Sequence, residues 1–146
     1  MIDVRATGIG KFKRRNIVIT KERLRRIKNA NQITSLELET ESKKRLQAQL
    51  EINNEGNGRL LNGIIGEHSG QFAMVYNRVF YAPYVEFGTG AYASDYLKDK
   101  DKDFRDYAYK FYVNGKGTTP AKPSMFPSAY AIKPKHIARL EKAVNG

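Results

Sequence analysis

A chain of 146 residues with net charge +11 and no cysteine has the length of one compact domain that buries roughly two-thirds of its unfolded surface, and the missing thiols exclude disulfides, cysteine nucleophiles and thiolate zinc sites. Nine Tyr and seven Phe, with no Trp, supply flat rings suited to sheets and subunit contacts. No stretch approaches the ~20 apolar residues that cross a bilayer and no signal-peptide run opens the chain, so the expected setting is the cytoplasm or a particle assembled there, without a membrane partner.

The positive charge is local. Residues 1–30 hold ten Lys or Arg against Asp3 and Glu22, which is +8 of the total. Residues 1–19 therefore read as a basic arm outside the core that orders against a partner, and residues 20–146 as a single folded domain. Thr20 as a cap, Glu22 in the first turn and Leu24, Ile27 and Ala30 at helical spacing predict a helix. Helix formers thin out between Asn29 and Ser35 and resume through Leu38, Leu46 and Leu50. The expectation is one long helix or two pieces with a bend, stopped by the Asn- and Gly-rich run at 52–58.

Two apolar runs around His68, Ser69 and Gly70 predict an antiparallel hairpin. Its second strand is apolar on both faces and is expected between other layers. The alternating charges of L-K-D-K-D-K-D-F-R-D predict a solvated tip, and Tyr107, Tyr109, Phe111 and Val113 a strand ending at Asn114-Gly115, so residues 95–117 read as a protruding β-hairpin. Ile137, Leu140 and Val144 mark a closing helix. The predicted fold class is α+β, with a long N-terminal helix and a C-terminal helix packed on an antiparallel sheet from which that hairpin protrudes.

Catalytic chemistry finds little support. His68, in a predicted turn, and His136, near a predicted helix start, carry no recognisable motif and read as surface residues. The D-K-D-K-D run beginning at Asp99 resembles the start of a calcium loop, but Phe104 stands where glycine is needed and Lys110 where a bidentate glutamate is needed. G-I-G-K at 8–11 lacks the Ser or Thr and the spacing of a phosphate loop. No nucleophile, acid-base pair, metal site or cofactor is nominated, and the chain is not expected to be an enzyme. Lys11, Lys13, Arg14, Arg15, Arg23, Arg25, Arg26 and Lys28 are suited to phosphates or to an acidic protein surface. A protein partner is preferred, and nucleic-acid binding through the arm is the alternative.

Two segments carry the functional signal. In Y-A-P-Y-V-E-F-G-T-G, Pro83 suits the first position of a short helix and Gly88 the left-handed residue that closes it, with Tyr81, Tyr84, Val85 and Phe87 as an aromatic and apolar shell. Glu86 is the charge that pins this turn or a neighbouring subunit. In P-A-K-P-S-M-F-P-S-A-Y, Pro120, Pro123 and Pro127 surround Met125 and Phe126, either as a rigid docking strip or as a seal on the chain's own core.

Together these segments resemble the tail-completion, or head-to-tail joining, proteins of long-tailed bacteriophages. The matching residues are Gly58, Arg59 and Leu60; Tyr81, Ala82, Tyr84, Val85, Glu86, Phe87, Gly88 and Thr89; and Pro123, Met125, Phe126, Pro127 and Ala129. The likeness covers about residue 20 to the end. It implies a virion subunit that forms a homo-oligomeric ring, a hexamer, between the head-closure or adaptor ring and the tail terminator or tail tube. Such a ring lines the DNA conduit, where non-specific DNA contact is expected; a tail-terminator ring subunit is the alternative within the same class.

Overall fold

The structure, a computed structural model, describes residues 2–6, 20–50, 56–111 and 116–146. The fold is α+β. Helix α1 runs unbroken over Lys21–Gln49, so the thinning of helix formers near Asn29 produces no break. Thr20 caps it, its hydroxyl accepting the Arg23 N–H at 3.2 Å, and the chain turns extended at Leu50. Residues 52–55 of the predicted stop lie outside the described residues. The short helix α2, Gly56–Asn62, leads into strands β2, Ile64–His68, and β3, Ala73–Asn77. These two form the expected antiparallel hairpin, with Gly66 opposite Val75.

A third strand completes the sheet from an unexpected place. Ile2–Ala6, β1, pairs antiparallel with the other side of β3 in the order β1-β3-β2. The first residues of the predicted arm thus belong to the sheet; residues 7–19 lie outside the described residues. The signal was present in the alternation of Ile2 and Val4 with Asp3 and Arg5, but the basic run that follows outweighed it. With a strand on each side, β3 is central. Its Ala73, Val75 and Asn77 face is buried, while Met74 and Tyr76 on the other face are half-exposed, so the expected enclosure between layers is realised on one face only.

Helix α1 packs on the buried face of the sheet at very close range because Gly66 has no side chain. A Cβ there would lie 2.2 Å from the Ser35 carbonyl oxygen, far inside contact distance. The vacated space also lets Glu39 reach the strand, where its carboxylate accepts the Gly66 N–H at 2.8 Å.

The region read as a protruding hairpin is helical instead. Residues 95–117 contain the end of α4, Gly90–Leu97, and all of α5, Lys102–Tyr109; the predicted turn at Asn114-Gly115 lies outside the described residues. Asp101 decides the matter locally by accepting the Phe104 N–H at 2.9 Å as an N-cap, and Lys102 pairs with Asp106 one turn on. Phe104, Tyr107, Ala108 and Phe111 recur at helical spacing and line the core side, whereas Tyr109, which made the pattern look like a strand, is 66% exposed. The period of 3.6 won over the apparent period of 2 because Ala108, polar-neutral in the alternation, is fully buried.

Helix α6, Met125–Asn145, closes the chain as expected. It lies antiparallel to α1: Gln49 meets Pro123 at one end, Thr34 meets His136 midway, and Arg26 lies beside Gly146 at the other end. The core fills the space between these two helices, the sheet and the short helices α3, Ala82–Phe87, α4 and α5.

Candidate functional site

The two signature segments, far apart in sequence, form one unit. Pro83 lies in the first turn of α3, where its missing N–H costs nothing. Gly88 ends that helix at φ 76°, a left-handed conformation that favours glycine, and a Cβ there would meet the Ala121 nitrogen at 2.8 Å. That close approach lets the two segments knit together. Lys122 N–H donates to the Val85 carbonyl at 2.7 Å, Thr89 N–H to the Thr119 carbonyl at 2.9 Å, and Thr119 N–H to the Thr89 hydroxyl at 2.8 Å.

Glu86 is the centre of this junction. Its side chain is 2% exposed, and it points at the start of α6. One carboxylate oxygen accepts the Ser124 N–H at 2.8 Å, the Ser124 hydroxyl at 3.0 Å and the Met125 N–H at 3.2 Å; the other accepts the Phe126 N–H at 2.9 Å. The first turn of every α-helix leaves N–H groups without partners, and Ser124 makes no side-chain cap of its own. Glu86 does that work from 38 residues away, with its charge at the positive end of the helix dipole. Burial pushes its carboxyl above the usual carboxylate range, while the four donors pull it back.

Around this junction the aromatic rings close a second lock. Phe87, 1% exposed, lies 5.4 Å from Phe126, 5.8 Å from Phe104 and 6.1 Å from Phe111 between ring centroids. Phe104 stands edge-on to Phe126 at 4.5 Å. Met125 is 2% exposed, and Pro123, Pro127 and Ala129 are half-buried. Of the two roles open to the proline strip, the chain's own core takes Met125 and Phe126.

The remaining signature residues divide. Leu60 and Ala82 are buried and line, with Val85, Glu86 and Met125, a residual cavity of about 10 Å³, room for at most one water. The Leu60 carbonyl accepts the Asn77 amide at 3.0 Å, tying the G-R-L element to the end of β3. Gly58 and Arg59 are exposed, as is Tyr84, while Tyr81 and Thr89 are half-buried. The structure thus gathers the three matched segments around one junction, except for Gly58, Arg59 and Tyr84 on its outer surface.

Of the basic set, Arg23, Arg25, Arg26 and Lys28 occupy the first two turns of α1, and Arg25 pairs with Glu22 at 2.8 Å with both side chains more than half exposed. Lys11, Lys13, Arg14 and Arg15 lie outside the described residues. Asp101 is the cap of α5, with Asp99 and Asp103 on either side of it, and among the described residues no group of three His, Asp or Glu side chains is placed to hold a metal ion. No helix among them is long and apolar enough to cross a membrane.

The surface reading of His136 is overturned. It stands midway along α6, 2% exposed, because Ser128, Ile132, His136 and Leu140 share the inward face at four-residue spacing. Its Nδ1 lies 2.9 Å from the Thr34 hydroxyl, which also accepts from Arg139 at 3.2 Å, and Arg139 grips Glu37 through two hydrogen bonds of 2.6 and 2.8 Å. This α1–α6 network has no pairwise signal in the sequence, since its partners are more than a hundred residues apart. His68 is half-exposed, its Nδ1 3.4 Å from the Ser35 hydroxyl.

Burial, and then the neighbouring Arg139, hold the His136 imidazole below its ordinary range. The unfolded chain therefore takes up a proton at a pH where the folded chain does not, and stability falls as pH drops below about 6.5 toward the depressed folded value. Urea midpoints compared between pH 8 and pH 5.5 are expected to fall further for the wild type than for His136→Gln. Parallel pH curves for the two proteins would remove His136 as the cause.

Comparison with known proteins identifies no relative: no protein-family model, no curated protein and no solved structure matches this chain.

Proposed function

We propose that this chain is a structural subunit of the head-to-tail joint of a long-tailed bacteriophage, assembling as a ring, a hexamer, between the head-closure ring and the tail terminator or tail tube. The observation that carries the reading is the junction at Glu86. Most of the residues on which the resemblance rests are gathered by it into a mechanical brace, in which a buried carboxylate bolts one signature segment to the helix that begins in the other. A joint subunit transmits load between two rigid assemblies, and a brace that ties the chain's middle to its C-terminal helix suits that task. Phe80, Tyr84, Tyr92, Tyr109 and Tyr130 remain exposed around the brace, and aromatic side chains are the type enriched in subunit contacts. Ring closure repeats each contact around an axis, so modest interfaces gain avidity.

The test is genetic and visual. A nonsense codon early in the gene, placed in the phage genome that carries it, is expected to leave filled heads and finished tails unjoined in negative-stain electron micrographs. Adding the purified protein is expected to restore whole particles. Joined particles from the mutant would defeat the proposal.

A further inference from the structure

Between Lys21 and Lys28, the first two turns of α1 hold five cations, Lys21, Arg23, Arg25, Arg26 and Lys28, against the single carboxylate of Glu22. This order opposes the helix's own stability, because cations are disfavoured at the positive end of the helix dipole; the last turn of α1, where they would help, has no basic residue. Residues that break a local rule in this way are most simply retained for something outside the fold. Lys21, Arg25 and Lys28 are all exposed and follow the spacing i, i+4, i+7, which puts them on one face in a straight row about 10 Å long. Arg25 is held by Glu22, but that pair is open to water on both sides and exchanges readily for a stronger anion.

We infer that this face of α1 is a contact surface for the phosphate backbone of duplex DNA, bound without regard to sequence. A rigid row of cations tracks a rigid row of phosphates and carries no base information. The exposed large apolar residue within these two turns is Leu24. Among the described residues this face therefore lacks the charge-depleted aromatic centre of a protein interface, and they present there no ring on which the bases of a single strand would stack. The opposite end of α6, where the α4–α5 turn lies beside Tyr130, carries cations too, but Lys98, Lys100 and Lys102 alternate there with Asp99, Asp101 and Asp103 and build up no comparable field.

The inference is tested on purified full-length protein with no particles present, so its failure and that of the joint reading are told apart. Binding to a fluorescent duplex of mixed sequence is followed by anisotropy across a salt series. The combined variant Lys21→Glu, Arg25→Glu and Lys28→Glu is expected to bind at least tenfold more weakly at low salt and to flatten the slope of log K against log salt by about 2.7. It is expected to melt no lower than the wild type, because carboxylates suit that end of the helix. The variant Lys98→Glu, Lys100→Glu and Lys102→Glu, equal in net charge change, is expected to bind much as the wild type does. Undiminished binding by the first variant, equal losses in both variants, or affinity for poly-L-glutamate equal to that for the duplex would overturn the inference.

Discussion

Glu86→Ala is expected to cost about 3–5 kcal/mol of folding stability, read as a lower urea midpoint with an unchanged slope. Truncation removes four hydrogen bonds to one buried carboxylate, and hydrogen bonds to a charged group contribute about 1.5–3 kcal/mol each in isolation. They do not add fully, because three share one oxygen and because deleting the carboxylate also relieves the cost of burying it. What remains is the penalty of N–H groups at the start of α6 left without partners inside the protein. Glu86→Gln keeps the shape but turns an amide NH₂ toward a set of donors, so it is expected to cost about 2 kcal/mol or more. Amide hydrogen exchange supplies the local readout: in a variant that still folds, Ser124, Met125 and Phe126 should lose protection more than the middle of α6. A loss below about 1 kcal/mol for the Ala variant would mean that the helix start is held by something other than Glu86.

Phe87→Ala is expected to be of similar size, about 3–5 kcal/mol, for a different reason. The ring is 1% exposed and stands among Phe104, Tyr107, Phe111 and Phe126, contributed by α5, the residues just after it and α6. Removing it empties a space walled by two separate stretches of the chain, 104–111 and α6, so collapse is incomplete and the cavity contribution stays large. Phe87→Leu, which keeps most of the volume but loses the edge-on ring contacts, is expected to cost about half as much. Thermal or urea unfolding of both variants decides the matter; equal losses would show that ring geometry outweighs volume at this position.

The sequence was most legible where the determinants are local. Thr20 marked the start of α1, Ser69 and Gly70 the hairpin turn, and Pro83 with Gly88 both ends of α3, each through conformational preferences that act over a few residues. It was misleading where two periods competed: Tyr107, Tyr109 and Phe111 alternate like a strand, and only the cap at Asp101 and the burial of Ala108 select the helix. It was silent where a contact joins distant segments. Glu86 was recognisable as a pinning charge, but that its target is the first turn of α6 follows from a pairing across 38 residues. His136 looks like a surface residue only while α6 is taken to start beside it; begun at Met125, the helical period puts His136 on the same face as Ile132 and Leu140.

The reach of Glu39 into β2 bears on how copies of this chain behave when crowded. The Ser69 N–H bonds to Phe72 and the Arg78 N–H to Gly63, so it is the odd-numbered residues of the strand that face β3, and the Gly66 N–H points away from the sheet. That outward donor is the one the Glu39 carboxylate occupies, and Lys43 holds the carboxylate in turn. A bare edge strand is a template on which foreign strands polymerise. Here the middle of the edge is stoppered by an ion pair that an incoming strand must first dislodge.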